Sequence, residues 1–449
     1  MQKNESSYLG ELSIWRLLYK QGLPASIGVL VLSLNIVVDT MFVGNFIGPN
    51  AIAAINVVLP IAFFISALGL AIGIGGGSII SRALGANDSS LANRTFGNQT
   101  TLTFLLTFVL GVVGLVFADT LIPMFGGKGE LFDLAKTYYE IVLYGVPIQG
   151  LVMMGNNVMR AEGKPKRSMV AMIIPSVGNL LMDYVLIVHY DFGMAGAAWA
   201  TVISYILSFV YIAWYYLSGE SEIKLRLAYL RLRWKVIKEV ASLGTVTLAR
   251  QAMVSITYLM LNNILFSLGG ETSVTIYGII GRMLMFALFP VIGVTHGFLP
   301  IAGYNYGAKF YERVNESIWK AMLLACGLGL VVFVFIGYFP TGIVSAFTQD
   351  AVLLEKTPKA MVIVFAATPI IGIQLIGSAY FQAIGKAVPA LLLTLTRQGF
   401  FFIPLLLILP KYYGELGVWL SFPLSDLIST VVTGWYLRKE VRNKLLPKK

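Results

Sequence analysis

Two aspartates lie inside long apolar stretches in the first half of this 449-residue chain, and each follows an asparagine by four residues. Asn35 with Asp39, and Asn179 with Asp183, therefore share a face if their segments are helical. Pro175 stands four residues before Asn179; a proline inside a helix leaves a backbone carbonyl without its donor and bends the helix. Tyr138, Gln149, Asn156, Asn157 and Thr201 add hydroxyls and amides. Carboxylates, amides, a hydroxyl and a freed carbonyl are hard oxygen ligands of the kind a small cation takes. Two neighbouring carboxylates also suit a shared proton. The other reading is a hydrogen-bonded polar knot that fixes helix packing. An ionisable group inside a membrane costs about 2.5–3.5 kcal/mol on insertion scales and is functional by default. Asn35, Asp39, Tyr138, Asn156, Asn179, Asp183 and Thr201 are accordingly the candidate cation-coupling residues.

The second half carries a different set: Arg250, Arg282, Arg397 and Asp426. An Arg397–Asp426 ion pair would let an apolar medium hold both charges; alternatively, these arginines meet an anionic part of a substrate. Met253, Met283 and Phe286 offer adaptable apolar lining, and with Arg282 and Arg397 they form a candidate substrate cavity. Gly69, Gly73 and Gly77 recur at a four-residue interval, a pattern that allows close helix packing.

These groups need a membrane scaffold. The chain is 57% hydrophobic and only 12% charged, with mean hydropathy +0.78; a soluble domain carries roughly 25% charged residues. Apolar runs of about 20 residues fit helices crossing a ~30 Å hydrocarbon layer. Twelve spans are expected. In the first half they lie near 22–43, 51–80, 96–119, 135–158, 168–189 and 194–217. In the second they lie near 241–268, 273–301, 316–339, 360–383, 388–409 and 416–437. Tyr8, Leu9, Leu12, Trp15 and Tyr19 read as one face of a short interfacial helix. With these spans, 25 Lys and Arg fall on the side of the N-terminus, 5 on the other and 3 inside. The positive-inside rule then places both termini in the cytoplasm. The net charge of +11 is an orientation signal rather than a nucleic-acid surface.

An internal repeat organises the spans. Arg82–Asn87 aligns with Tyr304–Lys309, and Arg160–Lys164 with Gln382–Lys386, both at an offset of 222; Gly193–Gly196 aligns with Gly414–Gly417 at 221. The expected organisation is a six-helix bundle over 1–217, a cytoplasmic linker over 218–240 and a second six-helix bundle over 241–449. Because six is even, both halves run in the same sense across the membrane, as in parallel-repeat transporters. At offset 222 the counterparts of Asp39 and Asp183 are Leu261 and Leu405, so the acids belong to the first half alone. One cysteine, Cys326, and two histidines, His189 and His296, leave no disulfide framework and no histidine-rich metal site. No phosphate-binding loop or hydrolase motif occurs, so no enzymatic activity, no organic cofactor and no required ATPase subunit are expected.

The segment Asn35–Gly44 resembles the multidrug and toxic compound extrusion (MATE) family. So do Ser81–Ala86, Arg160–Pro165, Pro175–Asp183, Gly196–Thr201, Gly303–Ala308 and Pro423–Asp426, in order over nearly the whole length. The resemblance implies an all-α integral membrane fold of twelve helices in two six-helix bundles, V-shaped. It implies a secondary active transporter that exports amphipathic, cationic organic compounds in exchange for Na⁺ or H⁺ by alternating access. Asp39, Asn179, Asp183 and Thr201 would be the positions that take the coupling ion, Na⁺ included, with Tyr138 and Asn156 around them. A multi-pass monomer in the bacterial inner (plasma) membrane is expected. Its partners would be small organic molecules and the lipid bilayer. The competing reading, which the arginines favour, is a lipid-linked oligosaccharide flippase of the same superfamily.

Overall fold

The structure is a computed structural model that describes residues 5–445. Lys3, Lys448 and Lys449, counted in the charge asymmetry, lie outside the described residues. Among these the chain is helix and connecting turn, with no strand. The first six long helices are α1 (Ile14–Phe46), α2 (Pro49–Gly85), α3 (Ser89–Val116), α4 (Glu130–Ala161), α5 (Pro165–His189) and α6 (Gly193–Leu217). A 74-residue helical run, Trp234–Gly307, follows. At 1.5 Å per residue it would extend about 110 Å, far beyond one ~30 Å crossing. It breaks at Gly269 (φ −141°) and Gly270 (φ 63°), where the left-handed torsion of Gly270 is one a side chain would oppose. The run is therefore α7 (234–268) and α8 (271–307). The remaining helices are α9 (Tyr311–Tyr338), α10 (Ala351–Ala383), α11 (Ala387–Tyr413) and α12 (Glu415–Leu445).

Twelve membrane-length helices thus stand where twelve apolar runs were read, but most are longer than their runs. Hydropathy registers the lipid-facing middle, whereas the hydrogen-bonded ladder continues into polar ends such as Arg82 in the last turn of α2. At the chain start, the short helix is only Tyr8–Glu11. Trp15 and Tyr19, expected on it, belong to α1.

The repeat is written in the backbone. Asn87 (φ 57°) and Lys309 (φ 61°) end α2 and α8 in the same left-handed turn, as do Gly163 (φ 85°) and Gly385 (φ 84°) after α4 and α10. In each of these turns an amide closes on a carbonyl five residues back. Asp88 donates to Ala83 and Phe310 to Asn305, both at 2.8 Å; Lys164 donates to Met159 and Lys386 to Phe381, also both at 2.8 Å.

Contacts divide the chain into two compact units. The first comprises Ile27–Thr247 with the described residues up to Tyr8; the second comprises Leu9–Ser26 and Leu248 onward. The start of α1 therefore groups with the second unit and the start of α7 with the first. Two glycine crossings at equivalent positions explain this exchange. In the first unit, a Cβ on Gly75 would sit 2.4 Å from the Val240 carbonyl oxygen and 2.9 Å from the Gly244 amide nitrogen. In the second, a Cβ on Gly297 would sit 2.7 Å from the Gly22 amide nitrogen. Gly75 with Gly297, and Gly22 with Gly244, are both 222 residues apart. Elsewhere in the first unit, Cβ atoms on Gly69 and Gly73 would press 2.8 and 3.0 Å against the α4 backbone, the close packing expected of that series.

The 218–233 segment is strapped to the first unit. The Asn98 side chain donates to the carbonyls of Tyr229 (2.9 Å) and Arg231 (3.1 Å) and accepts from the Arg233 amide (2.6 Å). Nearby, the buried Glu162 accepts hydrogen bonds from the Tyr215 hydroxyl and, at 2.7 Å, from the Ser221 hydroxyl. Burial outweighs these two donors and pushes its carboxyl up to about 8.

Two expectations follow. Gly75→Ala and Gly297→Ala each place a methyl against backbone that cannot yield, at a cost of about 1–3 kcal/mol. Thermal melts in detergent should show both variants melting lower than wild type. Gly327→Ala, whose Cβ meets no atom within 4 Å, should melt at or above it. Glu162 has a folded-state value above its ordinary 4.5, so its contribution is full below 4.5 and is lost as pH rises through about 8. Melting temperature followed from pH 5 to 9 should fall more steeply in wild type than in Glu162→Gln, which stays neutral throughout.

Candidate functional site

A cavity of about 310 Å³ opens within the first unit between α1, α2, α4, α5 and α6. Asn35, Asp39, Tyr138, Asn179 and Thr201 all stand on its wall. The turn spacing that put Asn35 beside Asp39 on α1, and Asn179 beside Asp183 on α5, is what lets two helices present four polar groups to one another. The Asn35 amide donates to the Asn179 side-chain carbonyl at 3.0 Å. The Asp39 carboxyl is the neighbour of both Asn179 and Asp183. Asp183 is fully buried, and no donor satisfies either of its oxygens. The Tyr138 and Thr201 side chains stand beside the two acids, and the Thr201 hydroxyl donates to the Ala197 carbonyl at 3.2 Å.

Two adjoining carboxylates in a water-poor setting cannot both stay charged without compensation. Among the described residues no Lys or Arg pairs with either. No cluster of three or more His, Cys, Asp or Glu side chains suited to a tightly held metal occurs among the described residues. The unsatisfied oxygens of Asp183, with Asp39, the Asn179 side-chain carbonyl and the Thr201 hydroxyl, are chemically suited to a small monovalent cation or a proton.

Asn156 is not part of this group. It lies 18 residues beyond Tyr138 on the same helix, about 27 Å along the axis, so the two cannot flank one ion. Asn156 instead donates to the Ser168 carbonyl (2.6 Å) and accepts from Arg160 (2.7 Å). The cavity wall also holds residues that the sequence reading passed over, namely Asn56, Ser66, Ser204 and Tyr205. The Gln149 amide donates to the Ser66 hydroxyl at 2.8 Å. Ser204 and Tyr205 stand three and four residues after Thr201, so helical spacing from Thr201 alone points to them.

The second unit holds its own cavity, about 530 Å³, with Arg282, Arg397 and Asp426 on the wall. Arg397 Nε donates to Asp426 Oδ1 at 2.6 Å, and the Ser425 hydroxyl caps the Arg397 carbonyl at 2.5 Å. Met253, Met283 and Phe286 are not wall residues. The face of α8 that lines the cavity includes Gly278, Gly281, Arg282, Leu284, Met285, Leu288 and Ile292; Met283 falls off this face, whereas Phe286 stands one turn after Arg282 without reaching the wall. Met283 packs into the apolar core instead. The Met253 sulfur lies against Gly399.

The sequence model of the MatE family matches residues 24–185 and 247–408. The chain belongs to the MatE family. Its two matched stretches are offset by 223 residues, in keeping with the repeat. The chain is 27% identical over 428 residues to the multidrug export protein MepA of Staphylococcus aureus (strain N315), covering 94% of each. It is 25% identical over 432 residues to the MepA of Staphylococcus saprophyticus, covering 95% of this chain and 94% of that one. Among solved structures, it aligns with one described as the outward-facing conformation of a multidrug resistance MATE family transporter of the MOP superfamily. The TM-score is 0.92, at 25% identity over 99% of both chains. These relatives are transporters, and the MatE fold of this chain is a multi-pass membrane fold.

The Arg397–Asp426 pair yields a prediction. Asp426→Asn strands a largely buried guanidinium and should destabilise the protein by about 3–5 kcal/mol, whereas replacing both residues with leucine should cost far less. A double-mutant comparison of melting temperatures in detergent tests this; equal losses in the single and double variants would contradict it.

Proposed function

We propose that this MatE protein exports amphipathic, cationic organic compounds across the plasma membrane in exchange for an inward-moving Na⁺ or H⁺. The observation that carries the reading is the Asp39–Asp183 pair, with half-buried Asp39 on the wall of the first unit's cavity and fully buried Asp183 beside it, both Asp183 oxygens unsatisfied and neither acid paired with a base among the described residues. The multidrug export proteins and multidrug resistance transporter that the chain resembles support the substrate class.

In this reading the ion enters the first unit and is held by Asp39 and Asp183, with Asn179 and Thr201 completing its oxygen shell. Asn35 and Tyr138 fix the orientation of those ligands. Binding the cation lowers the net negative charge of the pair by one and weakens the repulsion between α1 and α5, so the helices repack and the affinity for substrate falls. Substrate leaves outward, the ion-loaded protein turns inward, and the ion is released to the cytoplasm. Charge sets a limit on the driving force. The membrane potential is worth about 2.3 kcal/mol per elementary charge at 100 mV. One-for-one exchange of monovalent cations moves no net charge and so draws only on concentration gradients.

The test is efflux of a fluorescent organic cation from proteoliposomes, with Na⁺ and pH gradients imposed separately. One gradient should drive efflux in wild type, and Asp39→Asn and Asp183→Asn should each reduce the driven rate at least tenfold. Asn156→Ala should retain most of it. Full gradient-driven efflux in the Asp39→Asn, Asp183→Asn double variant would overturn the coupling assignment.

A further inference from the structure

The two cavities are one frame built twice. At the repeat offset of 222, Val254, Thr257, Tyr258, Gly281, Ile371 and Arg397 on the second cavity's wall correspond to Leu32, Asn35, Ile36, Leu59, Gln149 and Pro175 on the first. At the offset of 221 seen late in the repeat, Phe422 and Asp426 correspond to Thr201 and Tyr205. The shell has been kept while its polarity has been reversed. The counterpart of Asp39 is Leu261, which is fully buried in the apolar core rather than on the wall. The second wall carries two arginines and one aspartate. Asp426 is committed to Arg397, so one positive charge is left over. That charge is Arg282, which among the described residues has no acidic partner. Arg250, close enough to Arg397 for the two to repel, adds to the positive field.

The wall also carries a run of aromatic rings, Tyr258, Tyr277, Phe402 and Phe422, among aliphatic residues. Tyr258 and Tyr277 have ring centroids 5.3 Å apart, Tyr277 and Phe422 are 6.4 Å apart, and Phe402 and Phe422 are 4.8 Å apart. Gly278 and Gly281 leave open space opposite, with no atom within 4 Å of where a Cβ would be. We infer that the second unit's cavity is a binding site for a planar aromatic anion, a carboxylate or sulfonate whose charge meets Arg282 and whose rings lie against Tyr258, Tyr277 and Phe422. An organic cation would find no free acid there. The Arg282 guanidinium is exposed rather than buried, so an entering anion can reach it directly, and guanidinium-to-oxyanion hydrogen bonds are among the stronger ones in proteins. This reading stands whether or not the first cavity couples an ion, because binding is measured with no gradient present.

The experiment is isothermal titration of the full-length protein in phosphatidylcholine nanodiscs with 2-naphthalenesulfonate, and with trimethyl(2-naphthyl)ammonium as the matched cation. The sulfonate should bind wild type saturably and more tightly than the ammonium compound. Arg282→Gln should weaken it by roughly tenfold or more, and Arg282→Lys should recover part of the loss. Gly281→Leu installs the residue found at the equivalent Leu59, on a Cβ that meets no atom within 4 Å, and its side chain takes up cavity space, so it should abolish binding. Asp39→Asn should leave binding unchanged. Unaltered affinity in Arg282→Gln, preference for the ammonium compound, absence of sulfonate binding, or a loss in Asp39→Asn without one in Gly281→Leu would each overturn the assignment.

Discussion

Hydrocarbon hydrates neither peptide groups nor charges, and every feature of this chain answers to that constraint. Backbone groups must be satisfied within each crossing, which leaves helices as the form available to these apolar runs. Side-chain charges must find water, a partner or a ligand. Lys386 and Glu440 pair with each other beyond the crossings. Arg397 and Asp426 pair inside. Asp39 and Asp183 adjoin each other with no basic partner, and Arg282 has no acidic one. The unpaired groups are the informative ones, because a membrane protein keeps such costs only where something else offsets them.

Duplication explains why these unpaired groups stand on equivalent walls. Each copy of the repeat lays its first helix and its fifth along the same cavity, and the glycine crossings Gly75–Gly244 and Gly22–Gly297 are made at matching positions. Those crossings tolerate no side chain, since the opposing atoms are backbone. The cavity walls face open space, so the chemistry there was free to diverge while the frame was held. One wall became acidic and amide-rich. The other became basic and aromatic.

The number of helices, the repeat and the pairing of Arg397 with Asp426 could be read from the sequence because each rests on a one-dimensional pattern: run length, constant offset, and complementary charge in neighbouring spans. Asn35, Asp39, Asn179 and Asp183 were legible for the same reason, a four-residue spacing on two helices. Asn156 misled because its residue type fits an ion site while its height on α4 does not; counting 18 residues from Tyr138 would have separated them. Met283 misled through the opposite omission, residue type without helical phase; Phe286, one turn after Arg282, is in phase and still not on the wall. The exchange of α1 and α7 segments between units left no trace in hydropathy, since a helix that changes neighbours part-way along reads as one continuous apolar run. Asn98 was equally opaque. Nothing in its neighbours' residue types marks it, yet its side chain is buried and holds the 229–233 segment by three hydrogen bonds.

The asymmetry between the walls has a consequence for how the two units can differ in a transport cycle. Under the proposed exchange, the first unit changes charge each time an ion binds or leaves, so its packing between α1 and α5 has two electrostatic states. The second unit's polar groups are arginines and one aspartate already joined to an arginine, and an arginine does not give up its proton in a protein. That set has one electrostatic state unless a ligand arrives. Two units with the same frame would then respond to different signals, the first to the coupling ion and the second to the molecule it binds. An internal repeat that had kept acids in both copies would have to load both sites to reach a neutral state. Confining the acids to one copy lets a single site be neutralised while the other wall stays fixed.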